Sequence, residues 1–270
     1  MILSTFYQHI EEGAKRRGLS LEDAARACIS WGITGLDVIS GGTVSEQTSE
    51  TVSRLLDCGM HVNSMPVLCD PMREPSLEAM DRIVETALCF QTKRIMTVLA
   101  NYQLGDDREV LREQSLAPLR YLIDRCAENG ITVGMEDFDN AVSPTARIAD
   151  LLWFLERLPG LTCTLDTGNF LYNGEELLYA YSLLRPYITT HIHCKDRAAV
   201  GSHGERANVN VNGLPMYPCA VGEGMLPIEA VLYRLVKSGF DGAVTIEHYG
   251  SRDHLRNLEI SARNIQRCFS

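Results

Sequence analysis

The 270-residue sequence lacks most of the short signatures that give a function away. No Gly-x-Gly-x-x-Gly and no Gly-x-x-x-x-Gly-Lys-Ser/Thr follows any strand-like run, which removes the common dinucleotide and nucleoside-triphosphate cradles. Cysteine occurs nine times without a Cys-x-x-Cys pair, and an odd number cannot pair completely within one chain. Reduced thiols and a cytoplasmic location are therefore expected. No apolar run approaches the ~18 residues of a membrane span, and the opening MILSTFYQHIEEG has neither the basic nor the long apolar segment of an export signal. No membrane partner is expected. Basic residues are the scarcer charge, 25 Lys+Arg against 35 Asp+Glu, and the net charge of −10 repels polyanions. Nucleic acid is accordingly not an expected partner either.

What the sequence does have is regular alternation. Eight β-rich runs, ILSTF (2–6), TGLDVI (34–39), HVNSMPV (61–67), RIMTVL (94–99), ITVGME (131–136), LTCTLD (161–166), YITTHIHC (187–194) and GAVTIE (242–247), are separated by helical patterns. SLEDAARACISWG and PIEAVLYRLVKSGF are typical of these, with apolar residues three and four apart, Ser or Pro at the start and Gly at the end. Eight β/α units in this length predict an α/β fold, a (β/α)8 TIM barrel, as a single domain over 1–270. One long segment, 195–225, rich in Gly and Asn, reads as an irregular loop after the seventh strand, on the face where barrel active sites form.

Three strands end in an acidic residue, Glu136, Asp166 and Glu247, and the seventh ends in His-Ile-His-Cys-Lys-Asp. One carboxylate at a strand end is ordinarily a helix cap. Several at the same mouth repel one another unless a cation offsets them, so the set Glu136, Asp166, His193 and Glu247 predicts one divalent ion, Mn²⁺, Mg²⁺, Co²⁺ or Zn²⁺. Strand alternation puts His191, His193 and Lys195 on one face and Ile192 and Cys194 on the other. His193 lies level with the carboxylates and is the expected ligand; His191 sits a layer deeper, either as a core histidine or as a substrate contact. Phe6 and Phe138 are the aromatics expected to wall a pocket, whereas His248 and His254 read as surface or cap residues.

GITGLDVI, GITVGMEDF, TLDTGNF, HIHCKD and VGEGMLPIEAVLYRLVKSGFDGAVTIE together resemble the xylose isomerase-like TIM-barrel superfamily of sugar and sugar-phosphate isomerases and epimerases. The resemblance places Glu136, Asp166, His193 and Glu247 at the family's metal-ligand positions. It implies that Glu136 and Glu247 are also the acid/base pair, moving a proton through a metal-stabilised enediolate on a small sugar or sugar-phosphate substrate. Phe6, Asn169, His191, Lys195, Arg197 and Glu223 are the substrate-binding candidates, and a homo-oligomer stays open. Ketose 3-epimerases carry a histidine where this chain has Asn169 and an arginine where it has Ala199. The His-x-His-x-Lys-Asp form resembles instead the sugar-phosphate isomerase/epimerase and inosose dehydratase branches, so a metal-dependent dehydratase or lyase is the alternative. An endonuclease IV-like DNA repair enzyme needs further histidines and an Asp-x-His that are not here, and a non-catalytic sugar-binding protein is the remaining reading.

Overall fold

A computed structural model describes residues 1–269. The apolar runs form parallel strands, and the helical patterns carry the chain back from each to the next. In chain order the elements are β1 (Ile2–Phe6), α1 (Tyr7–Arg17), α2 (Leu21–Ser30), β2 (Ile33–Asp37), α3 (Glu46–Asp57), β3 (His61–Cys69), α4 (Leu77–Cys89), β4 (Arg94–Leu99), α5 (Arg108–Glu128), β5 (Thr132–Glu136), α6 (Ile148–Arg157), β6 (Thr162–Asp166), α7 (Leu177–Leu184), β7 (His191–Cys194), β8 (Asp196–Ala198), β9 (Asn208–Val209), β10 (Pro215–Cys219), α8 (Ile228–Lys237), β11 (Ala243–Ile246) and α9 (His254–Phe269). Helix starts follow capping chemistry: Ser20, Ser45, Ser76 and Asp107 accept the backbone N–H three residues on.

Strands β1 to β7 and β11 close into a parallel barrel in which β1 pairs with both β2 and β11. Parallel closure brings all their C-terminal ends to one mouth. Register fixes the level there, since Asp166 pairs opposite His193 and His193 opposite Thr245. The apolar core lies between barrel and helices, where Leu36, Val67, Ile95, Met135, Leu165, Ile192 and Val244 are buried together with Cys163 and Cys194. Among the described residues no helix is long and apolar enough to cross a membrane.

Two elements differ from the sequence expectation. The seventh strand starts at His191, not at 187, because Arg185–Tyr187 forms a 3-10 turn with Pro186 at its start. The 195–225 segment is not wholly irregular: β8, β10 and β9 form a small antiparallel sheet in that order. Strands of three, two and five residues, one of them Pro-Met-Tyr-Pro-Cys, are too short and too proline-rich for their period to stand out in sequence.

Candidate metal centre

Four side chains from neighbouring strand ends converge at the mouth. One donor atom each from Glu136, Asp166, His193 and Glu247 lies within 4.8 Å of the others, and all four residues are buried. His193 Nδ1 is 2.6 Å from Glu136 Oε1 and 3.1 Å from Glu247 Oε2. Even so, Glu136 Oε1, Asp166 Oδ2 and His193 Nδ1 are buried without a hydrogen bond. Buried carboxylates left this way are costly. Three carboxylates and one imidazole nitrogen, with their free donor atoms turned toward one point, fit a hard or borderline divalent cation.

The charges are strongly coupled. Burial raises the carboxyl of Glu136 and lifts that of Asp166 to about 7, despite the nearby cation of Lys195. Burial acts the same way on Glu247, but Lys195 and His193 overcome it and hold that carboxyl down at about 2. Lys195 itself is buried, which disfavours its charge, yet Asp166 and Glu247 keep it firmly protonated. Its Nζ touches Glu247 Oε1, lies 3.4 Å from Asp166 Oδ2 and donates to Asn169 Oδ1 at 2.7 Å.

Local backbone geometry aims the donors. Asp166 Oδ1 accepts the N–H groups of Gly168 and Asn169 at 2.7 and 2.9 Å, which turns Oδ2 toward the cluster. His193 presents Nδ1 to the carboxylates because Nε2 bonds Asp37 Oδ2 at 3.3 Å. Asp37 is fully buried inside the barrel and also accepts from Ser4, Asn63 and Thr245. Its carboxyl stays below the usual range, against the pull of burial, because His191 and His193 face it. Sequence reasoning missed Asp37. The signal was an acidic residue inside the apolar run TGLDVI, which a buried strand tolerates only with a partner.

Above the donors opens a cavity of about 590 Å³ lined by Phe6, Glu136, Phe138, Asp139, Lys195, Arg197, Arg206, Glu247 and Tyr249, together with apolar side chains of β3 and β4. Of the substrate-binding candidates, Phe6, Lys195 and Arg197 reach this cavity. The Phe6 ring meets His193 edge-on at 5.3 Å, and Arg197 Nη2 is held by Asp139 at 2.8 Å. Asn169, whose Oδ1 accepts from Lys195, donates from Nδ2 to Asp137 O at 2.7 Å. His191 does not reach the cavity; it bonds Thr245 Oγ1 at 2.8 Å one layer below.

Glu223 is a correction. It lies outside the cavity, where both its carboxylate oxygens accept from Arg256. The glycines on either side explain the motif better: Gly222 and Gly224 donate their N–H groups to Asp196 Oδ2 at 2.9 and 3.1 Å, so the turn exists to hold Asp196. His248 and His254 are also corrected, from surface positions to buried ones. Both stack against His9, with ring centroids 4.5 and 4.7 Å from its own.

A sequence-family profile described as xylose isomerase-like TIM barrel matches residues 45–268. A search of curated protein sequences finds no match. Solved structures with this fold include D-allulose 3-epimerase from Methylomonas sp. in complex with D-allulose, at TM-score 0.73 and 13% identity over 99% of this chain and 96% of that one. The probable 3-DHS dehydratase AsbF from Bacillus anthracis superposes at TM-score 0.70 and 17% identity, covering 98% of this chain and 99% of its own. A xylose isomerase-like TIM barrel protein from Mycobacterium smegmatis in complex with magnesium gives 0.67 and 16%, covering 92% and 89%. Identities this low carry the fold and nothing finer, but the profile spans most of the sequence, and the chain belongs to the xylose isomerase-like TIM-barrel family.

Proposed function

We propose that the protein is a divalent-metal-dependent isomerase or epimerase of a small polyhydroxy carbonyl compound. One observation carries the reading: of the four clustered donors, only Glu136 and Glu247 also line the cavity. Two carboxylates that reach both the cluster and the substrate space are placed to move a proton as well as to hold an ion. Glu136, Asp166, His193 and Glu247 would hold a divalent ion, which when bound would supply positive charge to a substrate carbonyl whose α-proton is removed. Lys195, in contact with Glu247, keeps that carboxylate ionised and suited to take the proton. Glu136, at the end of β5 on the other side of β6 and β7, is suited to return it to the enediolate. Fold relatives that act on D-allulose or bind magnesium are in keeping with this chemistry.

The test is exchange of the substrate's α-proton in deuterium oxide, followed by NMR over a panel of ketoses and cyclic hydroxy-ketones with Mn²⁺ or Mg²⁺ added. Glu247→Gln is expected to abolish the exchange, at least a 10³-fold loss. Exchange at the wild-type rate in that variant sinks the assigned role. Products one water lighter than their substrates would instead mark a dehydratase, which passes through the same enediolate.

A further inference from the structure

The cavity is chemically two-sided. One arc carries the ionised groups of β5, β7 and the residues that follow them and β11. The opposite arc, from the ends of β2, β3 and β4, presents Ile39, Pro66, Leu68, Met96 and Val98, and Met216 of β10 completes it. None of these side chains donates a hydrogen bond, and only the two thioethers accept one, weakly. A sugar hydroxylated at every carbon would bury several hydroxyls against hydrocarbon there, at about 1–3 kcal/mol for each one left without a partner.

Charge at the mouth is equally uneven. The three carboxylates of the donor cluster are matched by a divalent ion together with Lys195, and Asp139 is matched by Arg197 at 2.8 Å. Arg206 lines the same cavity and has no carboxylate partner among the described residues. Arg197 uses only Nη2 of its guanidinium on Asp139, which leaves donors to spare in the cavity that Arg206 also lines. The mouth therefore has one cation more than it needs. That suits a carboxylate better than a phosphate, whose charge approaches two.

We infer that the substrate is a hydroxy-ketone bearing an apolar ring or chain, laid on the Ile39–Val98 arc, and one carboxylate held by Arg206 with Arg197. The inference rests on the proton-transfer reading of the same site, but its test is a binding measurement that needs no turnover. Calorimetric titration of the Mn²⁺-loaded protein with catechol, 3,4-dihydroxyphenylacetate and D-fructose compares three compounds with adjacent oxygens. The first has an apolar ring, the second a ring and a carboxylate, and the third neither. The carboxylate-bearing catechol is expected to bind at least tenfold more tightly than catechol, and catechol more tightly than D-fructose. Arg206→Gln, at an exposed position, is expected to bring the two catechols within twofold of each other, and Met96→Gln to weaken both by tenfold or more. D-fructose binding as well as catechol overturns the apolar arc; a carboxylate preference that survives Arg206→Gln overturns the anion site; and no binding by any probe overturns both. If the expected ranking holds while Glu247→Gln still exchanges the α-proton, the ligand class stands and only the assigned chemistry falls.

Discussion

Asp37 lies too deep to meet a substrate, yet both histidines of β7 turn toward it, each Nε2 lying 3.3 Å from its Oδ2. A carboxylate behind a ligating imidazole fixes which nitrogen carries the proton and how the ring points, and losing it ordinarily weakens metal binding by about 10–100-fold. Asp37→Asn keeps the shape while removing the charge. It is expected to weaken Mn²⁺ binding within that range in a calorimetric titration, with the circular dichroism spectrum retained; affinity equal to wild type would show that His193 holds its orientation without help. At this scale the sequence was informative where a donor residue closed an apolar run. Glu136, Asp166, His193 and Glu247 each do so, whereas Asp37, although it ends β2, is followed by Val38 and Ile39 and is masked by them. Glu223 misled for the opposite reason: a charged residue between two glycines draws the eye, while the glycine N–H groups, invisible in sequence, do the holding.

The small sheet of β8, β10 and β9 shows how an element too short to read from its period is nonetheless specified. Asp196 opens β8 and gathers the N–H groups of Arg197, Gly222, Gly224 and Leu226, tying the beginning of the segment to its end. Gly224 packs so closely that a Cβ there would sit 2.0 Å from Asp196 Oδ1 and 2.7 Å from Arg197 O. Gly224→Ala is therefore expected to break the tie. The segment should then be cut at least tenfold faster by protease between 198 and 215, and the unfolding free energy should fall by about 1–3 kcal/mol, as for a buried acceptor losing its donors. Unaltered cleavage would mean the sheet stands without Asp196. Sequence patterning located the segment and its importance, since Arg197, Arg206, Met216 and Pro218 all reach the cavity from it. It could not resolve the pairing, which depends on contacts between residues some 20 positions apart.

For the whole molecule, barrel closure joins the first β/α unit to the last, and three histidines mark the seam. His9 on α1 accepts the backbone N–H of His248, just after β11, while His248 and His254 of α9 are hydrogen-bonded through their Nδ1 atoms at 3.0 Å. Burial pushes all three imidazoles down, His248 to about 3. Their folded values lie below the unfolded one near 6.5, so the unfolded chain binds the extra protons. The stability these residues contribute is complete above about pH 6.5 and is lost as pH falls below it, roughly 2 kcal/mol by pH 5 for a group depressed as far as His248. The change in urea midpoint from pH 7 to pH 5 should accordingly be less unfavourable in His9→Phe than in the wild type, since the carboxyls raised by burial at the mouth act in the opposite sense over that range, and the variant should be less stable at pH 7; an equal change in both would place the proton uptake elsewhere. The eight-unit alternation and the closed barrel were legible because each unit repeats its own pattern, but the seam was not, since it joins residues nearly 240 positions apart. The two-sided mouth has a consequence for heredity. Most of the apolar arc is encoded before α5, and Glu136, Asp166, His193, Lys195 and Glu247 are all encoded after it. A recombination breakpoint within α5, between two such genes that both keep Asp37, would exchange most of the apolar lining while passing on the clustered donors and the two arginines of the mouth intact.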